Sequence, residues 1–207
     1  MHRYQILIEY AGTNFVGWQI QPKGKSIQKS VQTKLSNLLK EKISLIGSGR
    51  TDAGVHAIEQ SAHFECKKKI QNLNKFLKSV NHFVNDMNIS IINIKKRNIN
   101  FHARFSAKQR IYKYVIFNRL SRPSIEKGRG WHIINELDIS LMKKGAKKLL
   151  GTKDFSTFRS SSCNAKSPIR TMKSIKIKSI SGKIEIQFKS QSFLQQQVRS
   201  IVGCLKY

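Results

Sequence analysis

From Tyr4 to Tyr10 the apolar residues Tyr4, Ile6, Ile8 and Tyr10 alternate with Gln5, Leu7 and Glu9, the signature of a strand buried on one face. After the turn-rich stretch "AGTNFVGWQIQPKGKS" the period changes. Ile27, Val31, Leu35, Leu38 and Leu39 then share one side of a helix, with Ser26 placed to cap its start. Such a switch between the two periods restricts the fold, because the strand and the helix must bury their apolar sides against each other.

The same logic continues down the chain. "ISLIG" reads as a strand, and "QSAHFEC" places Ala62, Phe64 and Cys66 on one side of another. A second helix carries Leu73, Phe76, Leu77, Val80 and Val84, and "ISIINIKK" closes as a strand. Strand, helix, strand, strand, helix, strand is the order of a ferredoxin-like unit. The later half starts alike, with a strand at "RIYKYVIF" and a helix after Asp138 bearing Leu141, Met142, Ala146, Leu149 and Leu150, ended by Gly151. Strands at "SIKIKSI" and "KIEIQF" flank Ser181 and Gly182, a hairpin signal. A last helix holds Leu194, Val198, Ile201, Val202 and Leu205, and no closing strand follows. The expectation is an α+β protein of two ferredoxin-like lobes, 1–105 and 106–207, with antiparallel sheets. Its second lobe is expected to be incomplete, with an unpaired sheet edge.

The chain has 39 Lys and Arg against 11 Asp and Glu, a net charge of +28. The excess runs from Arg3 to Lys206, so the partner it suits is a polyanion, with nucleic acid leading. A nucleotide-biased genome also enriches Lys, Asn and Ile together. The three cysteines, Cys66, Cys163 and Cys204, are odd in number and widely spaced, which points to a reducing, cytoplasmic setting. No apolar run approaches a membrane span or a signal-peptide core. Nor do the histidines form H-E-x-x-H, or the cysteines C-x-x-C, and neither a Walker loop nor a full dinucleotide loop is present.

Against this background "GSGRTDAGVHA", Gly47 to Ala57, stands out, because it sets a scarce acid, Asp52, two residues from Arg50 in a glycine-rich loop. Its glycines suit either a tight turn with a surface ion pair or a loop pressed against a ligand. In "FHARFSAKQRIYKY", Arg104, Lys108, Arg110 and Lys113 interleave with Phe101, Phe105, Tyr112 and Tyr114. Cations hold phosphates while aromatic faces stack on unpaired bases. Strand alternation puts Arg110, Tyr112 and Tyr114 on one side, where the two tyrosines serve equally well as core. "DFSTFRSSS" is a polar loop whose Arg159 and hydroxyls suit phosphate.

"GRTDAGVHA" resembles the catalytic loop of the tRNA pseudouridine synthase A family, and further matches follow in order at "AGTNFVGWQIQ", "FHARFSAKQRIYKY", "GTKDFSTFR" and "FLQQQVRSIVG". The resemblance implies Asp52 as the essential catalytic residue and Arg199 as the partner of its carboxylate. It further implies Tyr112 against the target uracil and Arg50 in displacing the flipped base. His56, His102, Arg104, Arg110 and Arg159 join these as expected RNA contacts. Also implied are a basic cleft between the lobes, a homodimer, no cofactor, and uridines 38 to 40 of the tRNA anticodon arm as substrate.

Gln196, Gln197 and Ser200 stand where the family has His, Met and Asn, so a polar amide occupies a packing position at 197. "FVNDMNI" lacks the usual L-P before its acid. Family members run about 50 residues further, in line with domains of ordinary size. The rival class is a non-catalytic RNA-binding protein derived from a synthase. RNA-recognition motifs share the strand and helix order, but they carry stacking aromatics on their third strand, where this chain has Phe64 alone.

Overall fold

The computed structural model describes residues 1–206. It divides into two compact units, Met1–Ala107 and Lys108–Tyr207. The first contains β1 (His2–Tyr10), α1 (Ile27–Leu39), β2 (Ile46–Gly47), β3 (Ala57–Cys66), α2 (Leu73–Val84) and β4 (Ile89–Arg97). Its sheet runs β2-β3-β1-β4 with every pair antiparallel, which is the ferredoxin-like order.

The alternation in β1 is realised in full. Tyr4, Ile6, Ile8 and Tyr10 are buried with Ala62, Phe64 and Cys66 of β3 and with Ile27, Val31 and Leu35 of α1. Ser26 caps α1, its hydroxyl accepting the Lys29 N–H at 3.3 Å. "ISLIG" was expected as a strand from Ile43, yet only Ile46 and Gly47 pair. Side chains of α1 take the hydrogen bonds that a strand partner would have taken. The Ile43 N–H donates to Ser36 Oγ at 3.0 Å and the Leu45 N–H to Gln32 Oε1 at 3.1 Å, while Gln28 Nε2 donates to the Leu45 carbonyl at 2.8 Å.

Part of the opposite face of this sheet is covered by the chain itself. His63 is 2% exposed although it points away from the helices. The segment after β4 folds over it, and the Ala103 N–H donates to His63 Nδ1 at 3.1 Å. Arg3 bridges Glu65 and the Phe101 carbonyl and ties the same segment to the sheet.

The second unit contains β5 (Arg110–Asn118), β6 (Trp131–Ile133), α3 (Ile139–Lys148), β7 (Gly151–Asp154), β8 (Ile169–Ile180), β9 (Lys183–Ser190) and α4 (Gln197–Leu205). Its sheet order is β6-β5-β9-β8-β7. The β5-β9-β8 portion repeats the first unit's arrangement, and the β8-β9 hairpin turns at Ser181 and Gly182 with φ of 46° and 73°.

Two short strands were not expected. β7 is exposed throughout and therefore shows no alternation. β6 is three residues long and pairs parallel with Ile116 to Asn118, so this sheet is mixed rather than wholly antiparallel. Among the described residues no strand pairs with 110–115 on that edge of β5. The last helix also starts later than its apolar pattern suggested. Leu194 is buried but precedes it, because Gln196 takes a left-handed conformation (φ 62°) before the first helical turn. On α3 the buried stripe is Met142 and Ala146, whereas Leu141 is 62% exposed.

Candidate active site

The loop between β2 and β3 carries Arg50, Asp52 and His56, and the segment after β1 forms its bed. The Trp18 N–H donates to the Thr51 carbonyl at 3.0 Å and the Gly54 N–H to the Phe15 carbonyl at 3.3 Å. Tyr10 and Thr51 share a hydroxyl hydrogen bond of 2.9 Å. From β3, Gln60 Nε2 donates to the Gly49 carbonyl at 2.7 Å, and the Ser48 N–H reaches the Ser61 carbonyl at 2.8 Å.

Two glycines make this approach possible. A Cβ on Gly12 would stand 2.0 Å from the Val55 carbonyl oxygen, and one on Gly17 would stand 2.5 Å from that of Thr51. Only residues without side chains let the two backbones come this close. "AGTNFVGWQ" and "GRTDAGVHA" are thus halves of one structural device, joined through backbone atoms.

Within the loop, the Val55 N–H closes a tight turn on the Asp52 carbonyl at 3.2 Å, with Gly54 at φ +77° in the position that demands positive φ. Asp52 therefore sits at the start of a braced turn, half-buried. His56 acts inside the scaffold, its Nδ1 accepting the Gly12 N–H at 3.3 Å. Its Nε2 is buried without a hydrogen-bond partner among the described residues.

His102 and Arg104 lie in the segment folded over the sheet. The His102 ring packs at 4.8 Å on His63, and its Nδ1 faces the N–H groups of Arg104 at 3.2 Å and Phe105 at 3.4 Å. His63 feels burial first and then the neighbouring His102 and Arg3, which together lower its pKa from 6.5 to about 4.

In the second unit, β5 directs Arg110, Tyr112 and Tyr114 to one side, as its alternation predicts. Both tyrosines pack against the core there, and Tyr112 meets Phe193 edge to face at 5.0 Å. Arg110 donates to the Gln191 carbonyl. Burial raises the pKa of the Tyr114 hydroxyl, and the charge of Arg199 on α4 pulls it partly back. Sequence reasoning had no signal for Phe193 or Tyr114 as neighbours of these residues, since each contact joins β5 to the segment that leads into α4 or to α4 itself. Arg159 is exposed at the end of a single 3-10 turn, Ser156–Phe158.

Gln197, the polar residue at a packing position, is fully buried. Its Oε1 accepts the Leu194 N–H at 2.8 Å, which organises the approach to α4, while its Nε2 finds no partner among the described residues. The amide thus orders the chain two residues before Arg199.

A family model described as tRNA pseudouridine synthase matches residues 6–106 and 146–207. The matched regions include both backbone halves of the Asp52 loop and all of α4. A protein of Pelagibacter ubique (strain HTCC1062) named tRNA pseudouridine synthase A is 79% identical over 207 residues, covering 100% of this chain and 84% of that protein. Proteins of the same name from Wolbachia pipientis wMel and from Wolbachia sp. subsp. Drosophila simulans (strain wRi) are 43% and 42% identical over 204 residues, covering 98% of this chain and 83% of each. A ferredoxin-like first unit, a glycine-bedded loop presenting one carboxylate, and likeness along the whole chain place this protein in the tRNA pseudouridine synthase family.

Proposed function

We propose that this chain converts uridine to pseudouridine at positions 38 to 40 of the tRNA anticodon arm, with Asp52 as the catalytic carboxylate. Membership of the family carries the isomerase activity on tRNA; the position on tRNA and the assignment of residues are the proposal. The observation that supports it most is the bracing of the Asp52 loop by Gly12 and Gly17, which holds a half-exposed carboxylate in place.

The chemistry needs such a group. The bond from ribose C1′ to base N1 breaks with its electron pair going to N1, the base turns, a bond from C1′ to C5 forms, the hydrogen on C5 leaves as a proton, and N1 takes up a proton, so that the product is an isomer of the substrate. Carbon C1′ becomes electron-poor as the first bond breaks. A carboxylate there stabilises it electrostatically or by covalent attachment. No electrons are gained or lost overall, so the reaction requires no cofactor. A base stacked in a stem is out of reach, so it must leave the stack. Arg50 takes part in displacing it, and Tyr112 lies against the extruded uracil.

Arg199 serves as the cationic partner of the Asp52 carboxylate. Arg104, Arg110 and Arg159 hold phosphates, and His56 and His102 support the RNA-binding surface from within. The chain works as a homodimer in the cytoplasm, a setting that its three free cysteines suit. No helix among the described residues is long and apolar enough to cross a membrane.

Tritium release from tRNA labelled at uridine C5 tests this reading, with wild type beside Asp52→Asn. Wild type should release tritium and Asp52→Asn should release none, while both bind tRNA alike. A folded wild-type chain that binds tRNA and releases nothing would instead be a binding protein.

A further inference from the structure

Phe105 is 77% exposed, yet its ring rests on a neighbour. Its ring lies 4.4 Å from that of His102 at an interplanar angle of 31°, so one face rests on an imidazole. His102 in turn packs on His63, which is buried in the sheet. The backbone is tied to the same column. The His102 N–H donates to Ser106 Oγ at 3.0 Å, and the Ser106 N–H donates to the His102 carbonyl at 2.8 Å. The Arg104 guanidinium stands over the ring at 5.9 Å from its centroid, the outer limit of a cation–π contact, and at that distance it leaves Phe105 77% exposed. Arg97 lies 5.1 Å from the Phe101 ring in the same segment.

A rigid aromatic face open to water, with cations beside it, loses little freedom when a flat partner lands on it. In a chain of charge +28 that partner is polyanionic, and a nucleobase joins a flat π-face to a phosphate. We propose that the open face of Phe105 stacks an unpaired base of the substrate tRNA while Arg104 meets an adjoining phosphate. This rests on the reading that the chain acts on tRNA. It adds a recognition contact on the first unit, outside the Asp52 loop.

The experiment compares wild type, Phe105→Ala, Phe105→Leu, Phe105→Trp and Arg104→Ala. It measures affinity for an unmodified tRNA transcript across a salt series, together with melting temperature and sedimentation. Loss of one stacked base should weaken binding by about tenfold in Phe105→Ala. Phe105→Leu should lose as much, because it is apolar without a π-face, and Phe105→Trp should bind at least as well as wild type. The salt slope should be unchanged in the Phe105 variants and reduced by about one in Arg104→Ala. Unchanged affinity in Phe105→Ala, or full affinity in Phe105→Leu, overturns the proposal even when wild type releases tritium normally. A change of oligomeric state that accounts for the lost affinity also overturns it, since Phe105 would then be a contact between copies. A wild-type chain that neither binds tRNA nor releases tritium defeats the functional reading and this one together.

Discussion

Replacing Gly17 by alanine isolates the link between the bed and the Asp52 loop. Gly17 has φ +106°, which an L-residue rarely adopts, and its added Cβ would lie 2.5 Å from the Thr51 oxygen and 3.1 Å from the Asp52 carbonyl carbon. Both are backbone atoms, so no side-chain rotation relieves the clash. Reaching an ordinary contact of 3.4 Å takes 3.4 − 2.5 = 0.9 Å of separation. The backbone strain costs about 1–3 kcal/mol, and disturbing the Trp18 to Thr51 hydrogen bond costs about 1 kcal/mol more. Melting should fall by about 5–10 °C at this chain length.

The rate effect should be larger, because misplacing a reacting group by about 1 Å costs about 100-fold. Affinity for tRNA, carried by phosphate contacts elsewhere, should stay within about threefold. Single-turnover tritium release and tRNA binding, both well below the melting temperature, measure the two effects. Gly151→Ala is the control, having φ +88° with nothing within 4 Å of its Cβ, so it carries strain without a clash. Wild-type turnover in Gly17→Ala, or an equal loss in Gly151→Ala, would refute the reasoning.

Arg199→Ala should cut turnover by about 100-fold or more with little change in tRNA affinity, and the exposed position of Arg199 means the fold should survive. Alkaline absorbance titration of the same variant should show the Tyr114 hydroxyl ionising later, because the cation that opposes its burial is gone. Tyr112→Phe should keep the packing on Phe193 and most of the turnover, whereas Tyr112→Leu should lose about 100-fold in turnover at unchanged affinity. Full activity in Tyr112→Leu would leave Tyr112 a packing role only. His63 has its pKa lowered from 6.5 to about 4 in the folded chain, so the unfolded chain takes up the proton first. Its contribution to stability is full above pH 6.5 and lost as the pH falls towards 4, about 3 kcal/mol in all. Urea titrations between pH 4 and 7 should show that slope, and His63→Gln should flatten it.

Much of the fold was legible because the elements that form it are long and buried on one side. Tyr4 to Tyr10 could only be a strand with one apolar face, and Ser26 followed by Ile27, Val31 and Leu35 could only start a helix. The reading failed where burial did not decide the backbone. Ile43 and Leu45 are buried as a strand would bury them, yet helix side chains claim their hydrogen bonds. β7 lies exposed, and the position beside β5 is taken over three residues by a parallel strand too short to show a period.

The residues of the candidate site are proposed from their types, one scarce acid in a glycine-rich loop and cations interleaved with aromatics. Their supports were not legible in the sequence, because those supports are contacts between segments far apart in the chain. That Gly12 and Gly17 matter for Asp52 follows only once their backbones are seen against 51–55. Likewise a single residue separates His102 from Arg104 in sequence, but tertiary packing turns the imidazole inward onto His63 and leaves Phe105 in water. Periodicity reports which side of an element is buried, since burial repeats with the backbone. Which distant group meets a given atom is settled by the sheet register and the crossing chain, and no local pattern encodes it.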